Sequence, residues 1–321
     1  MPGVQVTFTA ANDVTRTQPS DRKLAVVVVT YNSADTIGGL LDTLQAGLEG
    51  LSQTEIVIAD NASSDASVAI AQAHPIGARV VRTGRNGGYA AGINAALATV
   101  ANDADVLILN PDIRLSRGAA ARLVAPLRHR QVGVAAPRIL HENGALYHSL
   151  RREPSLQTAW ADALFGTKLG SGIDVGECIC DTDLYKVPGI VDWASGAVLA
   201  VSAEARQSVG PWDESFFLYS EEVDYQRRAR RAGFHIAYVP DAEVIHFGGD
   251  YRSNARLYSI LTANRLRDYA RHHDAISTAL FRLALLTGET LRSLGGSPVH
   301  RAGLKAALRP VPPAAAGGSH S

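Results

Sequence analysis

The strongest constraint on the fold is an apolar run that ends in Asn-Pro-Asp. Residues 106–109 (Val-Leu-Ile-Leu) run directly into Asn110, Pro111 and Asp112. A short apolar run bounded by a turn is typical of a buried strand in a parallel sheet, and proline ends it because it cannot donate to a ladder. Asp112 is therefore expected just beyond a central strand, where ligands of open α/β sheets bind. Its carboxylate and the Asn110 amide suit a hard divalent cation, although a turn using these residues only for their backbone preferences is an equal alternative.

Strand patterns and helix patterns alternate before this run. Short runs rich in apolar residues over 24–29, 55–59 and 78–82 predict three more strands. Apolar residues at helical spacing follow each of them, and 89–99 predicts the helix that precedes the run at 106–109. Alternation at this spacing predicts an α/β fold with a mostly parallel, doubly wound sheet.

The pattern is less regular in the second half of the chain. Residues 137–188 show no clear periodicity apart from one short helix near Trp160, which is typical of mobile binding loops. Strand character returns over 191–201, and two further strands are predicted at 234–239 and 244–247.

The charge of the chain is uneven although its formal net charge is zero. Bulk charge therefore indicates no nucleic-acid partner. Residues 251–309 nevertheless carry ten Lys or Arg against three Asp or Glu, on predicted helices at 254–272 and 276–294. We expect this basic extension to make a peripheral contact with an anionic membrane, to join two copies as a homodimer, or to pack against the main domain.

The remaining composition indicates a cytoplasmic protein. Cys178 and Cys180 are too close in sequence to bridge and have no neighbours at metal-ligand spacing, so reduced thiols are expected. The apolar run at 24–29 is too short for a signal peptide or a membrane span. Residues 1–22 are polar and predict a flexible arm, and the Pro-, Ala- and Gly-rich residues 310–321 predict a disordered tail.

Polar side chains are concentrated where three of the predicted strands end. These are Tyr31 and Asn32, Asp60 and Asn61, and Asn110 and Asp112. Because the carboxyl ends of parallel strands share one edge of a sheet, this pattern predicts a common ligand. Some of these loop residues are helix caps instead, and Asp65 is the best candidate. His246 follows an apolar pair near another strand end and is open between a core residue and a ligand.

Two adjacent glutamates follow an aromatic run at 216–219. Ser220 can cap a helix whose acidic first turn contains Glu221, Glu222 and Asp224, and the basic residues that follow suit its other end. Capping and the helix dipole do not require both glutamates. Neighbouring helical residues point about 100 degrees apart, so one glutamate can face a cleft while the other does not.

Seven short motifs, in this order, make the chain resemble a family 2 glycosyltransferase with the GT-A fold, in its bacterial rhamnosyltransferase-like branch. They are VTYN at 29–32, DNASSD at 60–65, NGGYAAGIN at 86–94, LNPD at 109–112, SGA at 195–197, FLYSEEVD at 217–224, and His246. Together they extend over about residues 24 to 275. No single motif is decisive, whereas seven in order are specific.

The resemblance implies a role for each motif. The nucleotide-sugar donor would be bound by Thr30, Tyr31, Asn32, Asp60, Asn61, Asn86, Gly87, Tyr89, Asn94, Asn110 and Asp112. The acceptor would be bound by Trp193, Ser195, Gly196, Tyr219 and Asp224. Asp112 and His246 would hold Mg²⁺ or Mn²⁺ against the donor diphosphate, and Glu222 or Glu221 would be the catalytic base.

Two positions depart from the family pattern. Glu222 stands where relatives usually carry an Asp base, and Glu221 matches the acid that precedes it, so the identity of the base stays open between them. Asn110 stands where many relatives carry a first Asp, which removes one charge from the metal site. Asn-Pro-Asp is common in this branch.

The implied chemistry is a single displacement that inverts the anomeric centre. A divalent cation stabilises the diphosphate leaving group, and a carboxylate on the opposite face removes the proton of the acceptor hydroxyl. Positioning of donor and acceptor supplies much of the remaining rate.

Other classes of protein fit the sequence less well. No Gly-x-Gly-x-x-Gly follows the first strand, and neither a P-loop nor a Gly-x-Ser-x-Gly motif is present. A nucleotidyltransferase should carry a basic Gly-rich loop where Tyr31 and Asn32 stand. The serious alternative is a non-catalytic protein that binds nucleotide-sugars or lipids.

The branch resemblance implies dTDP-L-rhamnose as donor and a glycan or polyprenyl-diphosphate-linked sugar as acceptor, at the inner face of the plasma membrane. UDP- or GDP-sugars and a soluble acceptor stay open. The expected organisation is a GT-A catalytic domain at 23–250, with a donor-binding half at 23–136 and an acceptor-binding half at 137–250. The basic extension at 251–309 follows it.

Overall fold

The computed structural model describes residues 23–169, 175–248 and 253–310. The predicted arm at 1–22 and residues 311–321 of the predicted tail lie outside these ranges.

The chain divides into two compact units. The first unit comprises Met1–Arg151, Asp181–Phe217 and Glu221–Gly248, and the second comprises Arg152–Cys180, Leu218–Ser220 and Gly249–Ser321. Residues 152–180, expected in the catalytic domain, thus group with the C-terminal helices, and the division into donor and acceptor halves stays a proposal.

The first unit begins with alternating strands and helices, as predicted. In chain order its elements are β1 Leu24–Thr30, α1 Ala34–Gly47, β2 Thr54–Asp60, α2 Ser67–Ala73, β3 Arg79–Arg82, α3 Tyr89–Leu97, β4 Asp105–Leu109, β5 Ile113–Leu115 and α4 Ala119–Val124. These are followed by β6 Val132–His141, β7 Leu150–Arg151, β8 Gly189–Val191, β9 Trp193–Ala194, β10 Val198–Val201, α6 Ala203–Val209, α7 Glu221–Arg231 and β11 His235–His246. The second unit contains α5 Leu156–Leu169, α8 Ala255–His272, α9 Ala275–Ser293 and α10 Pro298–Leu308.

Within the described residues, nine strands form one sheet in the order β3-β2-β1-β4-β10-β6-β11-β5, with β8 paired to β11. The pairs among β1 to β4 are parallel, and so is β6 with β11. β10 is antiparallel to both of its neighbours, and β5 is antiparallel to β11. All residues of β1 and β4 are buried, as expected for central strands covered on both faces. The fold is thus α/β with a mostly parallel sheet, as predicted.

Asp65 fixes the start of two helices. Its carboxylate accepts hydrogen bonds from the Ala34 amide at 2.9 Å and the Ser67 amide at 3.0 Å, at the first residues of α1 and α2. These bonds and the Ser67 hydroxyl lower the pKa of Asp65. The prediction that Asp65 serves a helix terminus and not a ligand agrees with these contacts.

The second half of the chain is more regular than expected. The helix predicted near Trp160 is present as the 14-residue α5, which bends at Gly166 (φ 64), but β6 also extends to His141, into the segment expected to be irregular. The two strands expected on either side of Pro240 form one strand, β11, because a register shift between Val239 and Glu243 accommodates the proline.

Buried charged groups join the helices of the second unit. Glu289 of α9 is 3% exposed, and its carboxylate accepts from the Tyr258 hydroxyl of α8 at 2.8 Å and contacts His300 Nδ1 of α10 at 2.9 Å. Arg265 of α8 donates to Glu177 at 2.6 Å. Apolar side chains of α5, α8 and α9 complete this core, including Phe281, which stacks on Tyr269 at 3.9 Å. The helix α10 was not predicted.

None of the helices within the described ranges is long and apolar enough to cross a lipid bilayer.

Candidate active site

The ends of β1 and β2 hold the Asp60 carboxylate in place. The parallel register sets Thr30 beside Asp60, and the Thr30 hydroxyl donates to Asp60 Oδ1 at 3.1 Å. The Ser63 amide donates to the other oxygen at 3.1 Å, and Asp60 is only 3% exposed. The carboxylate is therefore ordered at the edge of the sheet where a nucleotide was expected.

The turn after β1 is interlocked with the turn after β2. Asn32 adopts a left-handed conformation with φ 49, its amide donates to Ser63 Oγ at 2.9 Å, and its side-chain oxygen accepts from the Ser64 amide at 2.8 Å. The neighbouring Tyr31 is 52% exposed. Asn32 thus shapes the loop, while the Tyr31 ring is available to stack on a flat ligand.

The glycine-rich turn before α3 packs closely against the backbone of Phe217, within the first unit. Asn61 Nδ2 donates to the Gly88 carbonyl at 2.8 Å, and Asn86 Oδ1 accepts from the Gly88 amide at 3.1 Å. Gly88 has φ 92, and a Cβ atom there would overlap the carbonyl of Phe217. The amide of Tyr89 donates to that same carbonyl at 2.9 Å. Only glycine allows this approach at position 88.

The Asn94 side chain lines one cavity together with Asn61 and Gly87. Its Nδ2 donates to the Trp212 carbonyl at 2.9 Å and to Glu214 at 3.0 Å, and its Oδ1 accepts from the Trp212 amide at 3.0 Å. These bonds hold the segment before Phe216, and donor binding by Asn94 stays a prediction.

Asp112 and His246 meet because β5 and β11 are paired. The antiparallel register sets Ile113 opposite His246, and the Phe247 amide donates to the Asp112 carbonyl at 2.9 Å. His246 Nε2 lies 3.2 Å from Asp112 Oδ1 but is not aligned for a hydrogen bond. Among the described residues, Asp112 Oδ1 and both ring nitrogens of His246 are buried without a hydrogen-bond partner. Since buried polar atoms are normally satisfied, these atoms are suited to a ligand.

Two neighbours restrict the space around this pair. The Tyr147 ring packs edge-on against His246 with centroids 5.7 Å apart. A Cβ atom on Gly248 would collide with Asp112 Oδ2. The role of glycine at position 248 could not be seen in the sequence, because the contact depends on the pairing of distant strands. Nearby, the backbone amide of Asn110 donates to the Ala197 carbonyl at 2.9 Å and fixes the Asn-Pro-Asp turn.

The two glutamates differ in their surroundings. Glu221 is 3% exposed, and its Oε2 has no hydrogen-bond partner among the described residues. Burial and the charge of Glu222 raise the pKa of Glu221 well above its usual value. Glu222 is half-buried and packs against Gly196, where an added Cβ would lie 3.1 Å from its own Cβ. Glu222 is therefore the more exposed residue of the two, although its Oε2 is buried like that of Glu221.

The hydroxyl of Tyr89 is subject to the charges of both glutamates and of Asp112. Its hydroxyl donates to the Gly196 carbonyl at 3.2 Å, next to Glu222. Burial raises the pKa of Tyr89 well above its usual value, and the charges of Glu221, Glu222 and Asp112 raise it further. The Tyr89 hydroxyl thus lies beside the residue against which Glu222 packs, and a shared site for Asp60, Asp112 and the glutamates stays a prediction.

Gln226 fixes α7 beside β9, a contact that sequence reasoning missed. Its Nε2 donates to the Ala194 carbonyl at 2.8 Å, its Oε1 accepts from the Ala194 amide at 2.8 Å, and it is fully buried. This pair lies one turn from Glu222 and two residues from Gly196. An isolated glutamine gives no signal of such a role in the sequence.

We expect Gln226→Leu to lower the free energy of unfolding by about 2–4 kcal/mol, because both backbone groups of Ala194 would be buried without partners. Urea denaturation followed by circular dichroism would measure it. Gln207→Leu is a suitable control, since the Gln207 amide donates to the Asn102 carbonyl at the exposed surface. An equal loss of stability in both variants would contradict the importance of the Ala194 pair.

The predicted acceptor residues differ in their surroundings. Ser195 and Gly196 are beside Glu222, and Trp193 is buried with the Arg151 guanidinium 5.8 Å from its ring centroid. Asp224 instead forms an ion pair with Arg228 at 2.8 Å.

Tyr219 belongs to the second unit. It has φ 68, and its carbonyl accepts from Asn264 Nδ2 at 3.2 Å.

Comparison with known proteins identifies the family of the chain. The model of the family described as glycosyl transferase family 2 matches residues 25–186. The N-acetylglucosaminyl-diphospho-decaprenol L-rhamnosyltransferase of Mycobacterium tuberculosis is 32% identical over 240 residues, covering 70% of this chain and 75% of the relative. Rhamnosyltransferase WbbL of Escherichia coli is 25% identical over 230 residues, covering 69% and 82%.

The fold also matches solved structures. The mannosyltransferase PcManGT from Pyrobaculum calidifontis, determined with GDP-Man and Mn²⁺, has a TM-score of 0.53 and 18% identity, and the match covers 90% of this chain and 87% of that protein. The family model, the Mycobacterium relative and this fold lead to one assignment: the chain belongs to glycosyl transferase family 2 and is a rhamnosyltransferase-like glycosyltransferase of the GT-A fold.

Proposed function

We propose that the protein is an inverting glycosyltransferase that moves L-rhamnose from dTDP-L-rhamnose to a hydroxyl of a polyprenyl-diphosphate-linked sugar or another glycan. The names of the Mycobacterium and Escherichia relatives support rhamnosyl transfer, and the former supports a lipid-linked acceptor. The single observation that carries the proposal is the buried pair of Asp112 and His246, whose facing atoms lie 3.2 Å apart without hydrogen-bond partners among the described residues. A transferase needs carboxylates both at the donor diphosphate and at the acceptor hydroxyl.

The residues at the end of β5 fit a divalent cation. Asp112 Oδ1 and a ring nitrogen of His246 are buried, close together and without hydrogen-bond partners among the described residues. One carboxylate and one imidazole suit Mn²⁺ or Mg²⁺ that completes its coordination with phosphate oxygens and water. When bound, the cation stabilises negative charge on the departing diphosphate.

We assign the base to Glu222. It is the more exposed residue of the two and lies against Gly196, in the segment proposed to bind the acceptor. Glu222 would accept the proton of the acceptor hydroxyl as that oxygen attacks the anomeric carbon. Burial and the charge of Glu222 raise the pKa of Glu221, which makes Glu221 the less suitable base.

The proposed donor residues fall into two groups, one that would bind the base and one that would line the rest of the donor site. Asp60, held by Thr30, would recognise the base, and Tyr31 would stack on it. The Asn86 to Tyr89 turn, including Gly87, would line the donor site, with Asn61 fixing its backbone.

Donor choice can be tested directly by thermal shift. We expect dTDP-L-rhamnose with Mn²⁺ to raise the melting temperature more than UDP- or GDP-sugars do, because a ligand that binds only the folded state stabilises it by mass action. Each nucleotide-sugar would be screened with and without Mn²⁺, and with dTDP alone as a control for recognition of the base. A larger shift with a GDP-sugar would favour the donor seen in PcManGT and contradict rhamnosyl transfer.

A non-catalytic nucleotide-sugar-binding protein is the second candidate, motivated by Asn110 and by the Glu-Glu pair. It predicts a thermal shift with donor but neither transfer nor donor hydrolysis. Radiolabelled donor with a prenyl-diphosphate-linked GlcNAc acceptor distinguishes the two functions.

The proposed lipid-linked acceptor implies where in the cell the protein acts. We propose that it works at the inner face of the plasma membrane, with a peripheral contact through residues 251–309. Pairing of two copies through the same residues is the alternative.

A further inference from the structure

The outward side of α9 is apolar. Its exposed large side chains, with their exposed fractions, are Ile276 at 76%, Leu280 at 42%, Leu283 at 49%, Leu291 at 50%, and, just after the helix, Leu294 at 79%. These residues follow one another at intervals of three, four or eight positions, so they lie along one face. We call them the α9 apolar face. Its helix has 19 residues and is about 28 Å long.

The opposite side of α9 packs into the second unit. Phe281, Ala284, Leu285 and Gly288 are buried there, and Glu289 holds Tyr258 and His300. The exposed side has no charged residue, because the other residues at its helical positions are alanine and threonine. A surface helix normally carries charged residues opposite its core side, and a contiguous exposed apolar patch indicates a binding surface.

The exposed charges of the same C-terminal segment are almost all positive. In the described part of the C-terminal segment, 253–310, the exposed cationic side chains are Arg256, Arg301, Lys305 and Arg309. The exposed acid of that range is Asp274, whose carboxylate caps α9 by accepting from the Ile276 and Ser277 amides at 2.9 Å. The second unit therefore presents an apolar helix together with an excess of cations.

We propose that the α9 apolar face lies in the plane of an anionic phospholipid bilayer, with Leu280, Leu283 and Leu291 among the acyl chains. Cations on the same unit would bind the lipid phosphates, since anionic lipids attract basic segments. Joining two copies through this face would instead bring two positive surfaces together. An uncharged face on a basic helical unit is typical of helices that lie at a membrane surface.

This inference deepens the membrane contact in the proposed function. It is tested without donor or acceptor, so its failure is distinct from failure of the transfer reaction. The full-length protein would be sedimented with vesicles of phosphatidylcholine alone, and with vesicles containing about one third phosphatidylglycerol. We expect at least about tenfold tighter binding to the anionic vesicles, weakened by about 0.5 M salt.

The double variant Leu280→Glu/Leu291→Glu should lower binding to anionic vesicles by about tenfold or more, because each substitution replaces an inserted side chain with a charge that anionic lipids repel. Leu184→Glu/Val187→Glu is the matched control, since these side chains are 44% and 52% exposed in the first unit. Arg301→Glu/Lys305→Glu tests the charge separately and should remove the preference for anionic vesicles.

The inference is overturned if the unmodified protein does not bind anionic vesicles, or if the Leu280→Glu/Leu291→Glu variant binds as tightly as the control variant. It is also overturned if sedimentation velocity shows a dimer that the same double substitution dissociates, since a second copy would then cover the face. Circular dichroism melts of each variant verify folding, and the Arg301→Glu/Lys305→Glu result decides the matter if the double leucine variant does not fold.

Discussion

Glu222→Gln is expected to lower kcat for glycosyl transfer by about 10²- to 10⁴-fold, the contribution typical of a general base. The amide has nearly the same shape as the carboxylate but cannot accept the proton of the acceptor hydroxyl. Donor affinity should stay within about twofold, because Glu222 packs on Gly196, in the segment proposed to bind the acceptor. Single-turnover transfer and isothermal titration with donor would measure the two quantities separately. Near-normal turnover in this variant would show that the base lies elsewhere.

Glu221→Gln is the matched comparison. A glutamine resembles the protonated carboxyl that burial and Glu222 favour at position 221, so this variant should keep most of its transfer activity. A group whose pKa is raised in the folded state stabilises the fold most below its usual pKa, and this contribution is lost as the pH rises toward the raised value. The gain in melting temperature from Glu221→Gln should therefore increase from acid to neutral pH. A larger activity loss here than in Glu222→Gln would reverse the two roles.

Asp112→Ala is expected to weaken binding of the nucleotide diphosphate in the presence of Mn²⁺ by about 100-fold, because a direct ligand should matter at least as much as the outer partners of metal sites. The measurement is the shift in melting temperature that dTDP produces with and without Mn²⁺, which requires no turnover. In the unmodified protein EDTA should suppress both this shift and transfer.

Asp65→Asn serves as the comparison for Asp112→Ala, because the Asp65 carboxylate caps helices in a neighbouring turn. It should lower stability slightly without changing the response to Mn²⁺. Transfer at an unchanged rate in chelator would remove the metal from the proposed reaction.

Much of the fold could be predicted from the sequence, because the periodicities of strands and helices are local properties. Strands β1 to β4 and the helices between them are continuous apolar patterns, and their parallel pairing follows from the connections. The direction of β10 does not follow, since a strand buried on both faces shows the same apolar run whether it pairs parallel or antiparallel. The helix α10, which was not predicted as a separate helix of the extension, begins at Pro298 directly after Gly-Gly-Ser, where turn signals obscured the helix start.

The candidate site could be predicted only in part. Asp60, Asp112 and the glutamates stand at strand and helix ends, which is a signal in the sequence itself. The commitment of Asp224 to Arg228 is an i to i+4 pair that the spacing allowed but did not require. The roles of Gln226 and Gly248 depend on contacts between segments distant along the chain, and these exist only after folding.

The position of Tyr89 limits how this enzyme can be redesigned. Its backbone amide donates to the Phe217 carbonyl and its hydroxyl to the Gly196 carbonyl, so one residue connects the turn proposed to bind the donor with the segment proposed to bind the acceptor. A loop grafted from a relative with another sugar preference would have to supply a phenol of the same reach as well as new donor contacts. A change of donor specificity would therefore have to preserve the Tyr89 contacts with both Phe217 and Gly196, and replacing one loop would not be enough.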